Sequence, residues 1–283
     1  MSNMEKVLRE LGQYGNVGVK KWGSTALSST SDVLIGAADF EFPSDAKCLL
    51  AAMPTLTSPA GSTANEPIVG KFTIQSSSNY LGDMTFLAQP IGSSLLKSSA
   101  QPQGIQEAAI YPIYCPVKGG SKIKVYGTGL FNHTIEPYAA VTVWFSDFMP
   151  DPVKYPQQHW VVGTFTNTGT SAAEVVGSKI SIIGGRRIVE VGGLVVGTTV
   201  AALKGLLCSF RLNSPDILAF GDIEGFFNPA SGQVDTNIVE CIGGVTRIPV
   251  SVPIKDKATI SDNVELEVAL TTTGNFAVQI GYI

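Results

Sequence analysis

The chain is poor in charge. Only 15% of its 283 residues are Asp, Glu, Lys or Arg, against about a quarter in an ordinary soluble protein. Surface without charge is either dressed in Ser, Thr and Asn or buried against other chains, and the low charge is read here as a sign of self-association. The net charge is −4, and the only tight basic pairs are Lys20-Lys21 and Arg186-Arg187. That excludes a groove tracking nucleic-acid phosphates, so no direct sequence-specific nucleic-acid binding is expected. Histidine is nearly missing. His133 and His159 have no cysteine or carboxylate at metal-ligand spacing and read as exposed polar residues. No Gly-x-Ser-x-Gly elbow, phosphate loop or His-Glu-x-x-His motif occurs. The chain is therefore read as a protein that is not an enzyme and needs no cofactor or metal. No run reaches the ~20 apolar residues of a membrane span; the nearest, 188–207, is broken by glycine and charge. No apolar run follows the opening Met-Ser-Asn-Met-Glu-Lys, so no secretory signal is expected and a reducing cytoplasm is.

What is present is a long internal repeat. Gly82-Asp83 and Pro90 return as Gly221-Asp222 and Pro229, 139 residues later. Pro112, Pro116 and Lys118 return as Pro249, Pro253 and Lys255 at an offset of 137, and Phe72 returns as Phe210 at 138. Anchors in one order at nearly one offset mean two copies of a domain, with the drift absorbed by loops. Cys48, Cys115, Cys208 and Cys241 have no partners across the repeat. A disulfide framework would have duplicated with the domain, so four free, mostly buried thiols are expected.

Along the chain, residues 4–11 form the best helix candidate. Met4, Val7, Leu8 and Leu11 fall at i, i+3, i+4 and i+7, and Gly12 supplies the stop. So short a helix is marginal alone and must lie against something. Since the second copy has no counterpart, these four residues are taken as an interaction surface for a neighbouring subunit or a lipid surface. The competing reading packs the helix on its own first domain. Nearly everything else reads as strands of about five to seven residues between Gly, Pro, Ser and Asn turns, which signals an all-β sandwich or barrel. Helical islands are expected at 94–97 with 104–109, and at 236–241. The joint at 149–156 holds Pro150, Pro152 and Pro156, and reads as stiff and extended. The expected division is an N-terminal helix (1–15), a first sandwich (16–149), a linker (150–156) and a second sandwich (157–283).

The remaining chemistry is thin. Asp83 and Asp222 are the only acids at matched motif positions. They read as turn-capping side chains in preference to a calcium or catalytic pair, because their neighbours are apolar. The Pro-x-x-x-Pro motif reads as a strand with proline-marked edges. Trp22, Trp144 and Trp160 are candidates for stacking on sugars, with Trp144 read as core or interface.

Two tandem β-sandwiches, a stiff joint, a short N-terminal helix, low charge and no active site resemble the double jelly-roll major capsid proteins of tailless icosahedral viruses. The likeness is architectural and covers most of the chain. It implies two upright jelly rolls per chain and homotrimeric capsomers with pseudo-sixfold symmetry. It further implies a place in the virion shell, assembly in the host cytoplasm, and contacts with neighbouring capsomers and minor capsid proteins. In many members it also implies contact with an internal lipid membrane. Two other classes fit the pattern less well: a tandem immunoglobulin-like adhesin or tail-fibre module, and a jelly-roll carbohydrate-binding protein or enzyme. The second of these calls for a carboxylate pair at an aromatic groove.

Overall fold

The computed structural model describes residues 3–28, 31–36, 39–57, 69–76, 83–88, 109–130, 138–167, 173–176, 180–182, 187–197, 208–212, 214, 216–219, 223–227, 229–234, 239–242, 245–255, 259–260, 265–268 and 274–283. These residues fall into two compact units, one ending at His159 and one running from Trp160 to Ile283.

The first unit holds helix α1 (Asn3–Leu11) and strands β1 (Val17–Ala26), β2 (Val33–Leu34), β3 (Phe40–Glu41), β4 (Cys48–Thr57), β5 (Val69–Ser76), β6 (Met84–Ala88), β7 (Tyr111–Pro116), β8 (Lys122–Leu130) and β9 (Tyr138–Ser146). β1 pairs with β9, β2 and β3 with β8, β4 with β7, and β5 with β6, all antiparallel. First pairs with last, second with second-last, and so inward. The chain is one long hairpin rolled into two sheets, ordered β1-β9-β4-β7 and β2-β8-β5-β6. That is a jelly roll, not the immunoglobulin arrangement of ABED on CFG. The alternation of residues sets the faces. In β8, Lys122 and Lys124 are exposed while Ile123 and Val125 are buried.

The second unit holds β10 (His159–Asn167), β11 (Ala173–Val176), β12 (Ile180–Ser181), β13 (Arg187–Gly197), β14 (Cys208–Leu212), β15 (Ile223–Phe227), β16 (Pro229–Val234), β17 (Val239–Ile242), β18 (Thr246–Pro253), β19 (Thr259–Ile260), β20 (Glu265–Val268) and β21 (Gly274–Tyr282). The rolled hairpin recurs. β10 pairs with β21, β11 and β12 with β20 and β19, β13 with β18, and β14 with β15. An added hairpin, β16–β17, lies in the connection between β15 and β18. The described residues are thus all-β but for one short helix: a double jelly roll of antiparallel sheets, with one parallel contact where β16 of the added hairpin meets β13.

The repeat read from the sequence is a repeat of register. Phe72 faces Phe86 and Ile74 faces Met84 in the first unit; Phe210 faces Gly225 and Leu212 faces Ile223 in the second. Pro116 faces Cys48, and Pro253 faces Arg187. Even the irregularity is copied. The ladder shifts between Leu49 and Ala51 in β4, and between Ile188 and Glu190 in β13. A bulge kept at a matched residue is a built feature of the strand, re-aiming the side chains around it.

Two local expectations change. Of the stretch 236–241, the described part is not helical, because Val239–Ile242 is strand β17, paired to β16. Its alternating Val239 and Cys241 suit a ladder, and the ladder decides. β4 runs through Pro54 to Thr57 along β9. Pro54 lies beyond the last β4–β7 pair, Ala52 with Tyr111, where a missing N–H is tolerated. The joint is a folded turn in place of an extended rod. The Val153 N–H donates to Asp151 Oδ1 at 2.9 Å and the Tyr155 N–H to the Asp151 carbonyl at 2.8 Å. Asp151 caps a turn between prolines that needs no N–H of theirs. This turn belongs to the first unit. The candidate helical island at 94–97 and 104–109 lies outside the described residues, except Ala109.

Candidate interaction surface

α1 lies on the outward face of the first unit's β1-β9-β4-β7 sheet. Met4 and Leu11 are buried with Cys48, Leu50 and Ala51 of β4, with Ile110 and Tyr114 around β7, and with Tyr155 of the joint. Val7 and Leu8, half-buried, pack on the same cluster, as do Trp144 and Phe148. The structure therefore brings all four helix residues singled out from the sequence together, against their own domain. A stripe seated this way is not free to meet a second surface while the helix stays docked.

Polar contacts fix the seat. The Tyr114 hydroxyl donates to the Met4 sulfur at 3.5 Å, and the Tyr114 and Tyr155 rings lie 5.3 Å apart. Tyr114 has a φ of 51°, a left-handed conformation that costs a non-glycine residue on the order of 1–2 kcal/mol. It occupies the bulge on β7, and this aims its ring at α1. At the helix C-terminal end the Lys154 ammonium donates to the Glu10 carboxylate. That bond holds the Glu10 carboxyl below its ordinary value and Lys154 above its own. Burial pushes the Tyr114 hydroxyl up.

The matched face of the second unit is unsuited to a docked apolar helix, and none is found among its described residues. The register puts Arg187 where the first unit has Cys48, Glu190 for Ala51, Arg247 for Ile110 and Ser251 for Tyr114. Arg247 clasps Glu190 with two bonds, Nε to Oε1 at 2.6 Å and Nη2 to Oε2 at 2.8 Å. Its guanidinium lies 5.6 Å from the Trp160 ring centre. Arg187 Nη1 donates to Ser251 Oγ at 2.9 Å. An apolar helix seated there would strip water from charges at a cost of several kcal/mol. Where α1 sits, the sheet is apolar; the matched face of the second unit carries one ion pair, Arg247–Glu190, and the Arg187–Ser251 hydrogen bond.

Beside α1 opens a cleft of about 240 Å³, lined by Leu11, Tyr14, Phe148, Met149, Pro150, Asp151, Lys154 and Tyr155. Sequence reasoning missed it. The signal was the clustering of Tyr14, Met149 and Pro150 at the helix exit and the joint, which become neighbours only after folding.

The other candidates are placed as follows. Cys48 and Cys115 are free and buried, as expected, and burial pushes both thiols up to about 12. The side chains of Cys208 and Cys241 lie outside the described ones, as do His133 and Asp222. His159 is half-buried instead of exposed, 3.1 Å from Gln157 Nε2, and burial lowers its pKa. Asp83 is exposed just before β6 and accepts from Gln75 Nε2 at 3.4 Å, and the turn that precedes it lies outside the described residues. Trp160 is buried, and Gly281 leaves room for its ring: a Cβ there would lie 2.6 Å from it. The Trp22 indole N–H donates to the Ile35 carbonyl at 2.6 Å, and its ring packs edge-on to Phe40. Trp160, being buried, presents no open stacking face of the kind a sugar needs. Among the described residues no three His, Cys, Asp or Glu side chains converge as a metal site would require. No helix among them is long and apolar enough to cross a membrane.

No family model matches this chain, and no curated protein does. Among solved structures, a chain of the Sulfolobus turreted icosahedral virus particle aligns over 95% of this chain and 91% of its own, at 8% identity and a TM-score of 0.47. The STIV MCP crystal structure aligns over 95% and 97%, at 9% identity and 0.46. The PBSX exported protein XepA aligns over 94% and 86%, at 10% identity and 0.26. At these scores the likeness is one of strand course, and the jelly-roll class stands on the strand pairings themselves.

Proposed function

We propose that this chain is a structural protein, a major capsid protein whose homotrimers form pseudo-hexameric capsomers of an icosahedral virion. The observation that carries this reading is the copied jelly roll, with its strand pairing, register and bulge repeated within one chain. Two nearly equivalent blocks per chain give six per trimer, and six such blocks tile a shell through repeated head-to-tail contacts. The low charge suits broad lateral walls made of many modest contacts. On this reading the protein resides in the virion shell, and its partners are neighbouring capsomers and minor capsid proteins. α1 then completes the first block. A membrane-binding role for Met4, Val7, Leu8 and Leu11 would require α1 to leave its seat. Negative-stain microscopy of the purified protein tests the proposal. Rings of six similar lobes support it, and elongated single particles of two lobes count against it.

A further inference from the structure

Leu218 and the cleft beside α1 have matching shapes and charges. Leu218 stands 55% exposed on a turn that is pinned at several points. Its N–H donates to the Pro253 carbonyl at 2.9 Å, and the Lys255 N–H donates to the Asp216 carbonyl at 3.0 Å. Ile217 bridges Ile254. Beside the leucine, Lys255 and Asp216 form an ion pair at 3.2 Å. The turn is a rigid apolar knob flanked by one acid and one base.

The cleft is the complementary shape. At about 240 Å³ it falls below the ~300–1,000 Å³ of usual small-molecule sites and suits one or two inserted side chains. Its lining joins the apolar Leu11, Phe148, Met149 and Pro150 to Asp151 and Lys154, again one acid and one base. Tyr14 is 67% exposed, Met149 46%, and Val153 of the same turn 90%. These are three of the six large apolar side chains exposed among the described residues. A patch so gathered on a low-charge protein marks a protein contact.

We propose that the Leu218 turn of one copy seats in the Tyr14–Met149 cleft of a second copy, with Lys255 facing Asp151 and Asp216 facing Lys154. The cleft is built by α1 and the joint, which belong to the first unit, and the knob belongs to the second unit. The contact is therefore heterologous. Each copy offers one knob and one cleft, and a head-to-tail contact of this kind makes a ring where its rotation closes and a filament where it does not. This rests on the self-assembly reading above and names one of its contacts.

The test uses two full-length variants, Leu218→Asp, which spoils the knob, and Met149→Asp, which spoils the cleft. Both residues are exposed, so each variant should melt like wild type. If aspartate lowers melting, Leu218→Gln and Met149→Gln serve instead. Light scattering should find each variant alone monomeric at concentrations where wild type is oligomeric. A 1:1 mixture should give dimers and nothing larger, because one intact cleft then meets one intact knob. A variant that assembles like wild type overturns the contact, and so does a mixture that stays monomeric. A wild-type protein that is itself monomeric overturns the assembly reading as well.

Discussion

Cys48 and Cys115 lie on neighbouring strands, with Cys115 opposite Leu49. Both thiols are buried and titrate near 12. Thiolate is the reactive form, so at pH 8 both should resist an aromatic disulfide reagent in the folded protein and react once urea unfolds it. Fast labelling of Cys48, which lies under α1, in the native state would mean that the seat of α1 opens readily. On the matched face, Arg247 and Glu190 form a partly exposed bidentate pair, with side chains 27% and 17% exposed. Arg247→Ala leaves a half-buried carboxylate unpartnered and should cost about 1–3 kcal/mol in urea unfolding. The double variant with Glu190→Ala should cost less than the sum of the two single changes. A strictly additive result would mean that the pair contributes nothing as a pair. These charges were plain in the sequence, but their pairing was not, since 57 residues separate them.

At the scale of elements, α1 decides the outward face of the first unit. Its stripe told that one side of the helix is buried, but periodicity is blind to what buries it. The apolar character of Cys48, Leu50, Ala51 and Ile110, set against Arg187, Glu190 and Arg247 at matched positions, holds the missing information. Only the register makes those positions comparable. Deleting residues 1–12 should uncover this face. Burial of Met4 and Leu11 alone is worth about 1.5–3 kcal/mol each as an upper bound. The expected result is a clear drop in melting temperature and new binding of a hydrophobic dye. An unchanged melt would show that the seat is dispensable. The Glu10–Lys154 bond adds a pH dependence. Glu10 is lowered by its bond to Lys154, so its share of stability is present above the ordinary carboxylate range and lost as pH falls through the lowered value. Lys154 is raised, so its share is full below the ordinary lysine range and lost as pH rises through the raised value. Glu10→Gln should therefore flatten the acid side of the stability profile. The joint was misread for a related reason: three prolines suggest a rod, yet Asp151 between them caps a turn.

For the whole molecule, the repeat was the legible part. Phe72 with Phe210 and Pro116 with Pro253 fall at the same ladder positions in the two units, because offsets in sequence survive as register. The rolled-hairpin pairing was not legible, since every one of its pairs but β5–β6 and β14–β15 joins distant strands. The cleft and the Leu218 knob were not legible either, being assembled from residues far apart. The central claim is that two copied jelly rolls make this chain a block for closed rings of three. Size-exclusion chromatography with multi-angle light scattering measures that most directly. The account predicts a particle of about three times the 29.8 kDa chain mass, stable on dilution. A single species at the chain mass, persisting at high concentration, would contradict it.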